Sequence, residues 1–214
     1  MTEQAKAEEL LDVVEPTGAR VGPLPRSQVH AEGLWHQVFH CLLVRTDAPA
    51  RVLLQRRRRT AAAFAGKLDV SASGHLQAGE QPLDGVRELQ EETGLVVVPE
   101  RLVPLGRRLL ADDGGEGRNR EVVHVYLAGD DTPLTALRLD PAEVDGFVEL
   151  AVADLLRLLA DADAVVPAME VDCVGVVRPV ACAQADLVPA VDGYWVVLAT
   201  MAQRFADGVR PLAI

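Results

Sequence analysis

Three glutamates, Glu88, Glu91 and Glu92, fall within the short run RELQEETG. On an α-helix, positions three and four apart share a face, so these carboxylates would crowd one side within a few ångströms. Like charges at that spacing destabilise an isolated helix by about 0.2–0.5 kcal/mol per pair, and something must offset the repulsion. A hard divalent cation does so. Mg2+ or Mn2+ takes carboxylate oxygens, keeps open positions for water and ligand phosphates, and cancels charge on both. The plainer alternative is a solvated acidic face with Arg87 as its partner.

The elements that would position this group can be read from the flanking pattern. Pro82 suits a first helical position, Val86 and Leu89 give an apolar side and Gly94 suits a left-handed terminator, so one helix is predicted over Pro82–Thr93. Upstream, LDVVEPTGARVGPLPRSQV reads as a hairpin turning at Pro-Thr-Gly. Trp35–Arg45 and Arg51–Arg56 read as an antiparallel pair, and LDVSASG as a short strand entering a loop. Val103–Leu110 and Glu121–Leu127 flank the turn-like DDGGEGRN and suggest another hairpin. Two more helices are predicted, Ala153–Ala160 with Asp154 as a possible cap, and Tyr194–Ala206 with Gly208 behind it. Strands and helices are mixed and most strand connections are short, which points to a layered α/β or α+β domain with a mixed sheet.

Composition sets the outer limits. At 214 residues the chain holds one sizeable core. A net charge of −11 excludes a protein that grips duplex nucleic acid through a broad basic face. An anionic ligand must then meet a local basic spot or a metal. No apolar run approaches a membrane span, and the opening residues are polar and acidic, so the expectation is a cytoplasmic protein with no membrane partner. Cys41, Cys173 and Cys182 have neither disulfide nor metal-site spacing and read as small core residues.

The stretch Gly74–Leu95 resembles the signature of the Nudix hydrolase family, G-x5-E-x7-R-E-U-x-E-E-x-G-U with U aliphatic. Gly74, Glu80 and Arg87-Glu88-Leu89-Gln90-Glu91-Glu92-Thr93-Gly94-Leu95 match, but six residues, QPLDGV, separate Glu80 from Arg87 where the family has seven. One residue fewer in a helix rotates what precedes it by about 100° and shifts it by about 1.5 Å, which challenges the brace between Glu80 and the helix. A residue missing from the loop before Pro82 would leave the site intact, and Gly85 reads as local slack.

The resemblance implies a Nudix-type α/β/α sandwich with a mixed sheet and Mg2+- or Mn2+-dependent cleavage of a diphosphate linkage in a nucleoside diphosphate derivative or related phosphorylated metabolite. It implies Glu88 and Glu92 as metal ligands, Glu91 as a third ligand or the base, the Gly74 carbonyl as a further ligand, and Arg87 as the residue holding a glutamate in place. It also implies a homodimer. Residues 1–160 would form the domain with its N-terminal hairpin, and 161–214 a C-terminal extension packed on it.

Across roughly residues 9–160, LDVVEPTG, VHAEGLWHQVFH, LLQRR and KLDVSASGHLQAGE look like the subgroup related to isopentenyl diphosphate isomerase. On that likeness His36 and His75 fall at metal-ligand positions. The isomerase chemistry itself needs a Cys before the Gly-His pair and two later acids, whereas this chain has Ser73, Asn119 and Glu121 there. A catalytically silent binding module is the other alternative. Among further signals, Arg56 and Arg57 head the basic run RRRR and could clamp phosphates, with Arg58 and Arg59 reading as a solvated strand end. Glu121 could add a carboxylate from outside the helix, with Asp112, Asp113, Glu116 and Glu143 as rivals. Trp195, Tyr194 and Phe205 could stack on a base, fill a dimer interface or pack on the sheet.

Overall fold

The computed structural model describes residues 8–61, 63–113, 118–190 and 192–214. Its centre is β3, His36–Arg45, in which six of ten residues are apolar, on both faces, and most are buried. Around it the chain lays down β1 (Leu10–Val14), β2 (Arg20–Pro25), β4 (Arg51–Arg57), β5 (Leu68–Asp69), β6 (Ala72–His75), β7 (Val103–Asp112), β8 (Asn119–Gly129), β9 (Val144–Ala151), β10 (Val165–Asp172) and β11 (Val177–Ala183). All belong to one sheet whose main path runs β11-β10-β9-β4-β3-β1-β2, with β8 and β7 joined at β3. The β3–β8 ladder is parallel and the other ladders between described strands are antiparallel, so the sheet is mixed as the sequence implied.

The feature that makes room for a site is a fork. β3 pairs with β4 only over Leu43–Arg45, while its other half, Val38–Cys41, pairs with β6. β4 meanwhile diverges to pair with β5 at Gln55 and Arg56. The segment from Leu68 to His75 therefore spans the gap between two strands that have come apart.

Helices cover both faces. On one side Phe39, Cys41 and Leu43 meet Leu89 of α2 (Arg87–Thr93). On the other, Val38, Leu42 and Val44 share a core with Leu155 and Leu158 of α3 (Val152–Ala160) and with Leu198 and Ala202 of α4 (Tyr194–Ala206). This is the expected α/β/α arrangement. Tyr194 and Trp195 are buried in that second core, packed on the sheet. All three cysteines are free. Among the described residues no helix is long and apolar enough to cross a membrane.

Four expectations change. The helix over Pro82–Thr93 is two pieces: a 3-10 turn at Pro82–Val86 followed by α2, which ends as predicted at Gly94 in the left-handed region (φ 74°). Gly85 is not slack, because a Cβ there would lie 2.5 Å from the Cβ of Phe39; the glycine lets the 3-10 turn rest directly on β3. Helix α3 starts at Val152 with Ala151 as its cap residue, so Asp154 sits in the first turn, where its charge meets the positive end of the helix dipole. Finally, a helix not anticipated, α1 (Arg26–Glu32), follows the N-terminal hairpin. The predicted turn at DDGGEGRN includes residues 114–117, outside the described residues, and so does Glu116.

Candidate metal and catalytic site

The carboxylate group is built at the fork. Arg87, the first residue of α2, is its brace. Its Nε donates to Glu80 at 2.8 Å and its Nη2 to the other Glu80 oxygen at 3.2 Å, while Nη2 also donates to the His75 carbonyl at 2.9 Å. Nη1 donates to Glu88 and, at 3.2 Å, to Glu91. The shortened spacer is thus no obstacle. Five of the six spacer residues, Pro82–Val86, form a 3-10 coil that rises about 2.0 Å per residue against about 1.5 Å in an α-helix, so those five span about as far as six to seven α-helical residues.

Glu88 lies over Gly74 of β6 so closely that a Cβ on the glycine would stand 2.1 Å from a carboxylate oxygen. Glycine is required there because the space belongs to the carboxylate. Glu92 is 6% exposed and reaches into the fork, accepting from the Ser73 backbone N–H and from the Gln55 side chain, both at 3.3 Å. Burial raises the Glu92 carboxyl well above its ordinary range, reinforced by the charges of Glu88 and Asp69. Burial likewise pushes Glu88 up to about 7, with Glu91 and Glu143 adding to the rise and Arg87 opposing it. A buried and a half-buried carboxylate stand one helical turn apart, and the one arginine beside them is shared among Glu80, Glu88 and Glu91 and does not reach Glu92, so the group lacks enough positive charge. A divalent cation bound by oxygen donors fits that deficit and this donor set. Glu91, by contrast, is half exposed at the mouth of the group.

A second cluster stands nearby. His36 and His75, flagged in the sequence, converge with His30 of α1, their candidate ligand atoms all within 4.8 Å of one another. Nε2 of His30 lies 3.3 Å from Nε2 of His75. His36 is 1% exposed and its Nδ1 donates to the Leu34 carbonyl at 3.0 Å, which leaves a buried Nε2 lone pair with no partner. Burial lowers the pKa of all three rings, keeping them neutral and able to donate lone pairs. Glu121 is the cross-strand neighbour of His36 and accepts from Asn119 at 2.7 Å.

The basic run divides. Arg57 donates to Asp69 at 3.1 Å, beside the fork. Arg56 turns away to a buried ion pair with Glu170 of β10, which Arg178 shares at 2.6 Å. Arg58 donates to the Ala142 carbonyl and Arg59 pairs weakly with Asp145, both at the surface. Of the acidic rivals, Asp113 pairs with Arg120 at the exposed tip of β7, Asp112 ends that strand, and Glu143 acts on Glu88 through its charge. Gln55, Asp69, His30 and the Ser73 amide were not identified from sequence. Gln55, Asp69 and Ser73 come from strands or the turn between strands brought to the fork by sheet pairing, whereas His30 comes from α1 and, in a His-x5-His spacing with His36, left a local trace.

A NUDIX domain profile matches residues 34–169. An uncharacterized Nudix hydrolase of Clostridium acetobutylicum is 33% identical over 155 residues, which are 71% of this chain and 74% of that protein. Nudix hydrolase 3 of Arabidopsis thaliana is 30% identical over 73% of this chain, although the chain spans only 21% of that larger protein. Among solved structures, the Deinococcus radiodurans protein DR0079 superposes with a TM-score of 0.55 over 71% of this chain and 89% of its own, at 22% identity, a likeness of fold. With its signature helix braced as described, the chain belongs to the Nudix hydrolase family and is an enzyme of the Nudix pyrophosphohydrolase type.

Proposed function

We propose that this enzyme hydrolyses a diphosphate linkage in a nucleoside diphosphate derivative or related phosphorylated metabolite, using Mg2+ or Mn2+. Glu88, Glu92 and the Gly74 carbonyl would hold the ion, with Glu91 a further ligand or the base. The observation that carries the reading is the placement of Glu88 against Gly74 and of the buried Glu92 in the fork, two carboxylates one helical turn apart of which only Glu88 has an arginine partner. When bound, the ion supplies charge neutralisation and a more acidic water. The chain's own residues do the rest. Arg87 fixes the glutamates through its fork of donors, and Gln55 with the Ser73 amide orients Glu92. Glu91, solvent-facing and within a turn of both ligands, takes the proton of the attacking water. Its oxygen adds to one phosphorus as the bridging P–O bond breaks, and the leaving phosphate departs with that electron pair.

Arg57 is the better placed phosphate clamp, since Arg56 is committed to Glu170. His36 and His75, with His30 and Glu121, form a second cation position suited to a borderline metal. The isomerase alternative loses ground at Ser73, whose hydroxyl accepts from Gln55 at 3.3 Å where a thiol acid would be needed. A homodimer is the assembly the resemblance implies.

Phosphate release from a panel of nucleoside diphosphate compounds, with and without Mg2+, tests the reading. Magnesium-dependent turnover lost in Glu91→Gln supports it. A panel with no turnover refutes the hydrolase, and turnover unchanged in Glu91→Gln refutes the role of that residue.

A further inference from the structure

His40 occupies a position for which the strand pattern suggested nothing beyond residence in β3. It lies directly across from Ser73 on β6, on the same sheet face as Val38 and Leu42. Cross-strand neighbours on one face stand about 4.5–5.5 Å apart at Cβ, so the imidazole abuts the Ser73–Gln55 group that orients Glu92. Charges from four other strands act on it: Arg57, Asp69, Arg108 and Glu121. His40 is half-buried beside the fork.

Its partner comes from the far end of the chain. Nδ1 of His40 is 3.0 Å from the hydroxyl of Tyr194, the first residue of α4. Tyr194 is 5% exposed and held on other sides: the Arg108 guanidinium lies 4.3 Å above its ring, and Arg108 also grips Asp192, which accepts from the Tyr194 amide. A buried phenol must place its proton on an acceptor, and the hydrogen bond found for this hydroxyl among the described residues is the one to His40. Tyr194 therefore donates, and the neutral imidazole carries its own proton on Nε2.

Resting on the hydrolase reading above, we propose that Tyr194 is a positioning residue that fixes His40 as the Nε2–H tautomer, so that this N–H donates to an anionic phosphate oxygen of the substrate beside the metal-binding carboxylates. Residues beyond 161 thereby build part of the substrate cleft. A neutral donor adds specificity without adding a positive charge that would compete with the cation.

Nitrogen-15 histidine NMR reads the tautomer directly. Wild-type enzyme should show His40 protonated on Nε2, and that signal should move on adding Mg2+ with α,β-methylene-ADP, a diphosphate that cannot be cleaved at its bridge. Tyr194→Phe keeps the ring under Arg108 and should mix the tautomers. It should also raise KM by about 10-fold with kcat nearly unchanged, the effect of one hydrogen bond to a charged group. His40→Gln, which can offer an N–H near the ε position, should retain more affinity than His40→Asn, which cannot. A wild-type Nδ1–H tautomer, a tautomer unmoved by Tyr194→Phe, or equal affinities for the two His40 variants would overturn the proposal. The tautomer reading needs no turnover, so a protein that cleaves nothing would refute the hydrolase while leaving Tyr194 still decided.

Discussion

The carboxylate group on α2 and the histidine cluster formed by α1, β3 and β6 sit at the same end of the molecule but solve different problems. The first is three acids within five residues, two of them held by one arginine. The second is three neutral rings from three separate elements, with one buried lone pair left bare. Oxygen anions and neutral nitrogens prefer different ions, the former hard cations such as Mg2+ or Mn2+, the latter Zn2+ or its neighbours. The contrast teaches that burial alone does not predict what a cluster holds; the state of its donors does.

The sharpest break of this comparison is Glu92→Gln. It should lower hydrolysis by on the order of 100-fold or more and remove magnesium binding by calorimetry, yet leave zinc uptake by the histidines in place. Loss of both at once would mean a single shared site. Next is Gly74→Ala: the added methyl must displace the Glu88 carboxylate, with an expected activity loss of about 10-fold or more and overpacking of about 1–3 kcal/mol in denaturant unfolding.

His36→Ala should do the reverse of Glu92→Gln, weakening Zn2+ binding by at least about 10-fold while magnesium binding by the carboxylates persists. The smallest effect is on stability against pH. Because Glu88 in the folded, metal-free protein titrates at about 7 rather than 4.5, the folded state holds a proton the unfolded chain has released between those values. Its contribution is full below about 4.5 and fades as pH rises through 7, so the metal-free melting temperature should fall over that window, with Glu92 acting in the same direction. Magnesium should flatten the fall. A metal-free melting temperature that climbs from pH 5 to 8 would contradict the buried-carboxylate description.

How far each region could be read from sequence follows from the same difference. The acidic group was legible because helical spacing converts neighbours in the chain into neighbours in space, and Tyr194–Ala206 was legible for its strong apolar side. His30 was obscured because α1 has no side-chain cap and buries only Val29, so little in RSQVHAE announces a helix. Strands β10 and β11 escaped notice for another reason. Each carries a proline, Pro167 and Pro179, which usually argues against a strand, yet the two strands pair with each other near the sheet's edge, where a missing N–H is tolerated. Tyr194 was visible as an aromatic but its partner was not, since 154 positions separate it from His40.

The 3-10 turn at Pro82–Val86 carries a lesson about what a signature measures. A pattern counts letters, while the guanidinium of Arg87 responds to a span in ångströms and to the direction from which Glu80 arrives. Where a tighter coil stretches fewer units over the same interval, insertion and deletion become changes of pitch, and kinship hidden from a strict letter count survives in the geometry.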